Sequence, residues 1–356
     1  MGVRKIQHTR SGSFFITLPK AWVTDQEIGK GEELIITFDE DGALKINTLK
    51  TQKRYYSEFI VQIEDYTEEN SLERCIKSSY IQGSDIISII SKNTIVVERK
   101  NIIEKATSNL IGTEVSEEFS NKITIRVLVD PVRFPLHILI RRIYTLVHSM
   151  HVDAIKSFTE NDEVLAKDVI NREKQVAKLY FLMLRQLNLS LSNRLNFEEI
   201  CTSELKIDCV FGIVLARDLG KMAHYAVVIA NQVIRLKDKK ITSELKEHLK
   251  KMSSFVVTMQ QNAILAFFKE NFMRANRVIN SITEVIAYDL KTEQEVLKKV
   301  DDVGMTIGLI TISRNLRNIA NSAVDVSEDL QVKHRPKTTI KRELGAEQPV
   351  DPLELI

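Results

Sequence analysis

Apolar residues recur at helical spacing from position 133 to about position 334, which limits this chain to a fold with a large helical part. The breaks in the pattern are short, as is typical of antiparallel helices packed as neighbours. Six helices are predicted, and we expect Asn161 or Asp162 to cap the second. The first three begin in "FPLHILIRRIYTL", "NDEVLAKDVINRE" and "ELKIDCVFGIVLA", and the last three cover residues near 243–270, 272–298 and 302–330.

The predicted helices form an internal repeat. Met150 and Met259 are 109 positions apart, and this offset also places the "VIN" at 169–171 on the "VIN" at 278–280. In the third helix of each half the offset is 97 positions, so that "RDLGKMAHYAVVIA" lies on "RNLRNIANSAVDVS". A register kept across three helices predicts two three-helix bundles in tandem. The predicted bundles cover residues 133–238 and 241–334.

Residues 1–50 have the pattern of short strands and turns. In "SGSFFITLPKAWV", Phe14, Ile16 and Leu18 lie on one face of a strand, and Pro19 ends that strand because proline cannot donate to a ladder. "LIITFDEDGALKINTL" predicts a hairpin with its Asp-Gly dipeptide at the tip. A unit of this size buries little apolar surface by itself. We therefore expect a second copy of the chain to complete it.

Residues 53–130 predict a small α+β domain, with strands near both ends and helices between them. The predicted strands are "EFIVQI", "DIISII", "TIVVE" and "KITIRVLV", and the predicted helices end at Gly83 and Gly112. The last stretch, residues 335–356, has no periodicity and is basic first and acidic afterwards. Such a segment is predicted to be a largely disordered tail.

Composition excludes several classes of protein. The formal net charge is only +2, so any attraction to nucleic acid must come from a local patch. The three cysteines have neither metal-site spacing nor a disulfide pattern, which is typical of reduced thiols in the cytoplasm. No uncharged run resembles a membrane span. No nucleophile elbow, phosphate loop or zinc-helix motif is present, so we expect neither an enzyme nor a bound cofactor.

The N-terminal segment supplies a local basic patch, because no acidic residue precedes Asp25. In a dimer about eight cations would face one surface and neutralise several DNA phosphates. A sequence preference would depend on DNA shape as well as on base contacts, because only Gln7 offers a planar amide. The alternative is a solvated hairpin with scattered positive charge. The predicted DNA-binding residues are Arg4, Lys5, Arg10, Ser13 and Lys20.

Two segments resemble known families. The third-helix sequences "LGKMAHYAVVIA" and "LRNIANSAVDVS" resemble the PhoU family, regulators of phosphate uptake made of two three-helix bundles. "RKIQ", "SGSFFITLPKAWV" and "GKGEELIITFDEDGALKI" follow the order of the AbrB-type swapped-hairpin DNA-binding domain. Together they resemble a known archaeal arrangement. The resemblance implies a multi-domain chain: a β swapped hairpin, a small α+β middle domain and all-α tandem bundles.

The resemblance also implies a function and partners. A regulator of phosphate homeostasis would bind promoter DNA as a homodimer, and components of a phosphate transporter or signalling system would be further partners. A second hypothesis is an adaptor that docks on such a transporter, with an N-terminal domain that only dimerises. A third is a sensor loaded with a metal ion or phosphate.

PhoU-like proteins bind metal clusters through a Glu/Asp-x-x-x-Asp motif on the third helix of each repeat, since carboxylates one turn apart face the same side. At the matched positions this chain has Gly220 and His224 in the first repeat, and Arg317 and Asn321 in the second. Glycine and arginine cannot serve as ligands. These residues therefore predict that the chain has the fold without the metal cluster.

Two histidine sites remain open as ligands. His224 could hold a single ion, although a lone histidine on a helix is more often packed or solvated. His148 and His151 share a helix face at i, i+3 spacing, and the alternative to a ligand pair is a polar flank of a bundle helix.

Overall fold

The computed structural model describes residues 3–9, 12–38, 43–48, 56–192, 194–201 and 206–333. The contacts within the chain divide it into unit 1, Met1–Tyr56, and unit 2, Ser57–Ile356. None of the helices in these ranges has the length and apolar character needed to cross a bilayer. The predicted tail at 335–356 lies outside the described residues.

The described residues of unit 1 form two β-hairpins and one short helix. Its elements are β1 (Gln7–His8), β2 (Phe14–Phe15), α1 (Lys20–Asp25), β3 (Leu34–Phe38) and β4 (Leu44–Thr48). Antiparallel pairing joins β1 to β2 and β3 to β4. The strand predicted to include Phe14, Ile16 and Leu18 is shorter than expected. It corresponds to β2, which ends at Phe15. The predicted tip of the second hairpin, Asp41-Gly42, lies outside the described residues.

Among the residues of unit 1 whose burial the structure describes, none is buried within a single chain. Phe14 is 75% exposed, Ile16 is 51% exposed and Phe38 is 81% exposed. Isolated two-stranded hairpins are marginally stable in water. The predicted burial of Phe14, Ile16 and Leu18 against a second copy therefore stays a prediction.

Unit 2 begins with a four-stranded sheet, which confirms the predicted α+β region. The strand order is β5-β6-β8-β7; β5 and β6 are parallel, and the other pairs are antiparallel. Ile87 and Ile125 of the sheet pack with Ile76 and Ile103 of the helices in one apolar core. The elements are β5 (Glu58–Gln62), α2 (Ser71–Ile81), β6 (Ile86–Ile90), α3 (Val97–Ser108), β7 (Thr113–Glu118) and β8 (Lys122–Val127).

One local prediction in this region is wrong, and one strand was not predicted. The run "TIVVE" does not form a strand, because Val96 is the N-cap of α3 and the helix starts at the next residue. Ile95 is buried in the core, so tertiary contacts override the β propensity of this run. Strand β7 escaped prediction because its side chains are mostly charged and exposed. It pairs with β8 at the sheet edge, with a bulge between Val115 and Glu117.

The helical part of unit 2 follows the six predicted helices, but the fifth is divided. Its first repeat contains α4 (Leu136–Glu160), α5 (Glu163–Leu191), α6 (Phe197–Ile200) and α7 (Lys206–Arg235); its second contains α8 (Ser243–Lys269), α9 (Phe272–Asn280), α10 (Ile282–Lys299) and α11 (Val303–Lys333). Ser281 separates α9 from α10, and its hydroxyl donates to the carbonyl of Arg277 at 2.7 Å. Such back-bonding competes with the helical ladder. Asp162 caps α5 by accepting from Leu165 N at 2.9 Å.

One continuous apolar core joins the two repeats, and it confirms the tandem arrangement. The matched residues Met150 and Met259 are both buried in it. The third helices, α7 and α11, pack against each other. They come so close at Gly308 that an added Cβ atom would lie 2.8 Å from Cδ1 of Leu236. A small residue is therefore required at this contact.

Candidate functional site

The predicted DNA-binding residues come from separate segments of unit 1. Arg4 and Lys5 precede β1, Ser13 lies in the turn before β2, and Lys20 opens α1. All four side chains are exposed. Arg10 lies outside the described residues. The three described cations form no ion pair with a carboxylate in the part of the chain that the structure covers, so they are available to phosphate groups.

A tight turn fixes the position of Ser13. Thr9 N donates to Ser13 O at 2.8 Å, and Ser13 N donates to Oγ1 of Thr9 at 3.2 Å. Gly12 has φ of +89°, a left-handed conformation that favours glycine. The rings of His8 and Phe14 meet edge to face across the hairpin, with centroids 6.4 Å apart. The hairpin therefore holds Ser13 at an exposed position.

In the first repeat, the third-helix positions hold no carboxylate. Gly220 has open space where a Cβ atom would lie. His224 is exposed, and its Nδ1 lies 3.1 Å from Oε1 of Glu173. An exposed pair of this kind contributes little to stability.

In the second repeat, Arg317 pairs with a buried carboxylate of α10. Nη1 of Arg317 lies 3.3 Å from Oδ2 of Asp289, and Ser313 donates to Oδ1 of the same carboxylate at 2.8 Å. Asp289 is 2% exposed, so its charge needs these partners. Asn321 is exposed. Sequence reasoning missed Asp289, whose only signal was a carboxylate among the apolar positions of α10.

Three carboxylates lie near one another where α7 packs on α11: Asp218, Asp325 and Asp329. Asp218 is almost fully buried, and Nζ of Lys221 lies 2.8 Å from its Oδ1. Burial, followed by the charge of Asp218, raises the pKa of Asp325 and of Asp329. Across the described ranges, no three His, Cys, Asp or Glu side chains are arranged to hold a metal ion.

The two histidines of α4 differ in their surroundings. His151 is fully buried, and its Nε2 lies 3.1 Å from Oγ of Ser253 on α8. Burial lowers the pKa of His151 to about 4, so the ring is neutral at pH 7. His148 is half-buried, and its ring lies 5.8 Å from that of Tyr144. His151 thus acts as a packed, hydrogen-bonded group between two helices.

The α+β region and the bundle are joined by a buried arginine, which we call the Arg185 joint. Arg185 on α5 donates to the carbonyls of Tyr80 and Ser84 at 2.8 Å each, and its Nη2 lies 3.2 Å from Oδ1 of Asp85. Arg194 pairs with the other oxygen of Asp85. The carbonyls at the end of α2 thus receive their donors from the bundle. Any displacement of α5 would break these bonds.

Family models match both parts of the chain. The PhoU domain model matches residues 140–233 and 249–330, once in each bundle. A model described as antidote-toxin recognition MazE, bacterial antitoxin, matches residues 7–54. No curated protein matches the chain.

Two solved structures are similar to the helical part. PhoU from Pseudomonas aeruginosa is 16% identical with a TM-score of 0.47, and the match covers 55% of this chain and 93% of that one. The phosphate transport system regulatory protein PhoU from Streptococcus pneumoniae is 17% identical with a TM-score of 0.48, and the match covers 55% of this chain and 91% of that one. On the family models, this chain belongs to the PhoU domain proteins and has an N-terminal MazE/AbrB-like domain.

Proposed function

We propose that this protein is a cytoplasmic regulator of phosphate homeostasis that binds DNA as a homodimer. The observation that carries the proposal is the PhoU domain match in each of the two bundles. The MazE-type match covers residues 7–54, which include Arg10 and Lys20 and closely follow Arg4 and Lys5, and it supports the second half of the proposal. The proposal assigns the chain no catalytic activity and no metal cofactor.

The burial pattern of unit 1 supports the dimer. Phe14 and Phe38 are large apolar side chains that water surrounds in a single chain. Covering them would gain on the order of 1.5–3 kcal/mol for each fully buried side chain. A second copy is the simplest cover, because it presents the same surface.

The charge of unit 1 supports the DNA contact. A dimer presents Arg4, Lys5 and Lys20 twice, without carboxylates of the described residues to neutralise them. Cations of this kind bind the phosphate backbone and make affinity fall steeply with salt. Arg10 and Ser13 complete the proposed contact, Ser13 as a hydroxyl donor to phosphate.

The bundle is proposed as the sensing or docking module. It is the larger folded part, and the Arg185 joint ties it to the α+β region through Tyr80, Ser84 and Asp85. A component of a phosphate transporter or signalling system is the proposed protein partner.

A mobility-shift assay on DNA from upstream of phosphate-uptake genes tests the proposal. We expect binding at low salt that weakens strongly in the variant Arg4→Ala/Lys5→Ala. The control variant Lys250→Ala/Lys251→Ala removes the same charge from α8 and should bind as the unmodified protein does.

Two results would contradict the DNA contact: no binding at low salt, or equal binding by both variants. A stable dimer without DNA affinity that recovers a transporter ATPase in a pull-down would favour the adaptor instead.

A further inference from the structure

In the first repeat, an arginine fills the space between α4 and α5. Nη1 of Arg172 lies 2.6 Å from Oδ2 of Asp153 and 3.3 Å from Oγ of Ser149. Its Nη2 contacts Asp168 on the same helix. One guanidinium thus meets two carboxylates, and the positive charge is neutralised from within the chain.

The second repeat has different residues at the four equivalent positions. When the repeats are aligned with an offset of 109 positions, the two carboxylates of the first repeat correspond to an amide and an arginine, and its arginine corresponds to a serine. The matched pairs are Ser149 and Thr258, Asp153 and Asn262, Asp168 and Arg277, and Arg172 and Ser281. Both carboxylates are lost, while a positive charge is kept at a new position.

These exchanged residues surround a cavity. Its volume is about 170 Å³, and its lining includes Thr258, Asn262, Arg277 and Ser281 together with Arg274. Arg274 and Arg277 are three positions apart on α9, a spacing that places them on one face of the helix. The cavity lies at the break between α9 and α10, where the first repeat has the unbroken helix α5.

The hydrogen bonds around the cavity leave donors without acceptors. Nη1 of Arg274 donates to Oδ1 of Asn262 at 3.0 Å, and the NH₂ group of this amide remains a donor. The hydroxyls of Thr258 and Ser281 already donate to backbone carbonyls, at 3.0 Å and 2.7 Å. Neither Arg274 nor Arg277 forms an ion pair with a carboxylate of the described chain. The cavity is therefore lined by two arginines and an amide, and no Asp or Glu is among its lining residues.

We propose that this cavity binds a small tetrahedral oxyanion, inorganic phosphate or sulfate. Arginine forks match such oxyanions with paired hydrogen bonds. The cavity is smaller than the roughly 300 Å³ at which sites for drug-sized ligands begin, which favours an ion over an organic molecule. In the first repeat, Asp153 and Asp168 neutralise the arginine. In the second repeat, an oxyanion from solution would take this role.

A larger cavity, of about 480 Å³, fits an anion less well. It is lined by Arg141 and Arg142, among others. Their guanidinium groups lie over the rings of Phe268 and Phe134, at 5.7 Å and 5.8 Å from the centroids. These charges are already engaged by aromatic faces.

The site deepens the proposed function, because an oxyanion would be the ligand that the bundle senses. The role of this site in regulation rests on the proposed function, but the binding of an oxyanion to the cavity does not. The full chain is titrated without DNA, so a failure of anion binding is distinct from a failure of DNA binding.

Isothermal titration calorimetry with inorganic phosphate, sulfate and chloride at equal ionic strength tests the site. We expect phosphate or sulfate to bind and chloride not to. Arg274→Gln and Arg277→Gln should each weaken binding at least tenfold, because each removes a fork to the oxyanion. Asn262→Asp should abolish binding, because it returns to the cavity the carboxylate of the first repeat.

The control is Lys250→Gln/Lys251→Gln, which removes two exposed charges from α8 and should leave binding unchanged. Binding of either phosphate or sulfate supports the site, and the anion that binds more tightly is identified as the preferred ligand. The proposal is overturned if neither anion binds at millimolar concentration. It is equally overturned if the control variant loses as much affinity as the arginine variants, or if the arginine variants lose none. Thermal unfolding by circular dichroism checks that every variant is folded.

Discussion

Unit 1 and the helical bundle use their apolar side chains in opposite ways. In the bundle, Met150 is fully buried and Phe158 is 1% exposed, whereas Phe14 and Phe38 of unit 1 stand mostly in water. The bundle therefore has a buried core of its own. The described hairpins of unit 1 leave large apolar side chains exposed within a single chain.

The charges follow a related division. In the bundle, buried and half-buried arginines pair with carboxylates of the chain, as Arg172 does with Asp153 and Arg317 with Asp289. Arg274 and Arg277 form no such pair in the described chain, and they line the cavity proposed to bind an oxyanion. In unit 1, Arg4 and Lys5 are exposed and have no carboxylate partner in the described ranges.

The largest expected effect separates the two parts by stability. Phe158→Ala should lower the free energy of unfolding of the bundle by about 3–5 kcal/mol, because it empties a packed core site. The matched change Phe14→Ala removes the same atoms from an exposed site. It should change the free energy of unfolding of the bundle by less than about 0.5 kcal/mol. Urea unfolding followed by circular dichroism measures both. Equal losses would show that unit 1 shares the core of the bundle.

The dependence of stability on pH is expected to show the burial of His151 in the bundle. The pKa of this buried ring is lowered from 6.5 to about 4, so between these values the unfolded chain binds a proton that the folded chain does not. Stability contributed by the neutral ring is present above pH 6.5 and is lost as the pH falls towards 4. The loss amounts to about 3 kcal/mol.

Urea unfolding at several pH values measures this loss. His151→Gln should flatten the profile over that interval. Identical profiles for the unmodified protein and this variant would contradict the buried neutral ring.

The Arg185 joint is expected to have an intermediate effect. Arg185→Met removes the bundle's donor from the carbonyls of Tyr80 and Ser84 and one partner from Asp85, at a cost of about 2 kcal/mol. We expect the α+β region to melt before the bundle, which gives two transitions in calorimetry. Arg126→Met, at an exposed position of β8, should keep the unmodified profile. A single unshifted transition in Arg185→Met would show that the joint does not couple the two parts.

The smallest effect on the bundle is expected from removing unit 1. Without residues 1–50 the chain should keep the unfolding free energy of the bundle within about 0.5 kcal/mol. Its mass by light scattering should fall from that of a dimer to that of a monomer. Phe38→Asp should have the same effect on mass, because it places a charge on the proposed covered face. An unchanged mass would place the dimer contact elsewhere.

The sequence was sufficient to predict the bundle, because its repeat is kept in register over long helices and its cap at Asp162 is local. Predictions failed where tertiary contacts decide. The β-branched run at Ile95 anchors the core before a helix, and the charged strand β7 exists because β8 pairs with it. The break at Ser281 also escaped prediction, because the apolar period continues through it.

Candidate sites were predictable only where they depend on composition. The cations of unit 1 are visible in the sequence because acidic residues are missing around them. The partners of Arg185 and Arg317 are not, because Tyr80 and Asp289 lie on other helices that only folding brings near. The exchange of Arg172 for Ser281 becomes visible once the repeats are aligned and the cavity is known.

The salt dependence of DNA affinity tests the central claim most directly. Fluorescence anisotropy of a labelled duplex gives the slope of log K against log salt, which is about −0.9 for each phosphate that the protein neutralises. A dimer that uses Arg4, Lys5, Arg10 and Lys20 from both chains predicts a slope of about −7, and Arg4→Ala/Lys5→Ala should flatten it by about 3–4. A slope near zero, or one that this variant leaves unchanged, would contradict the account.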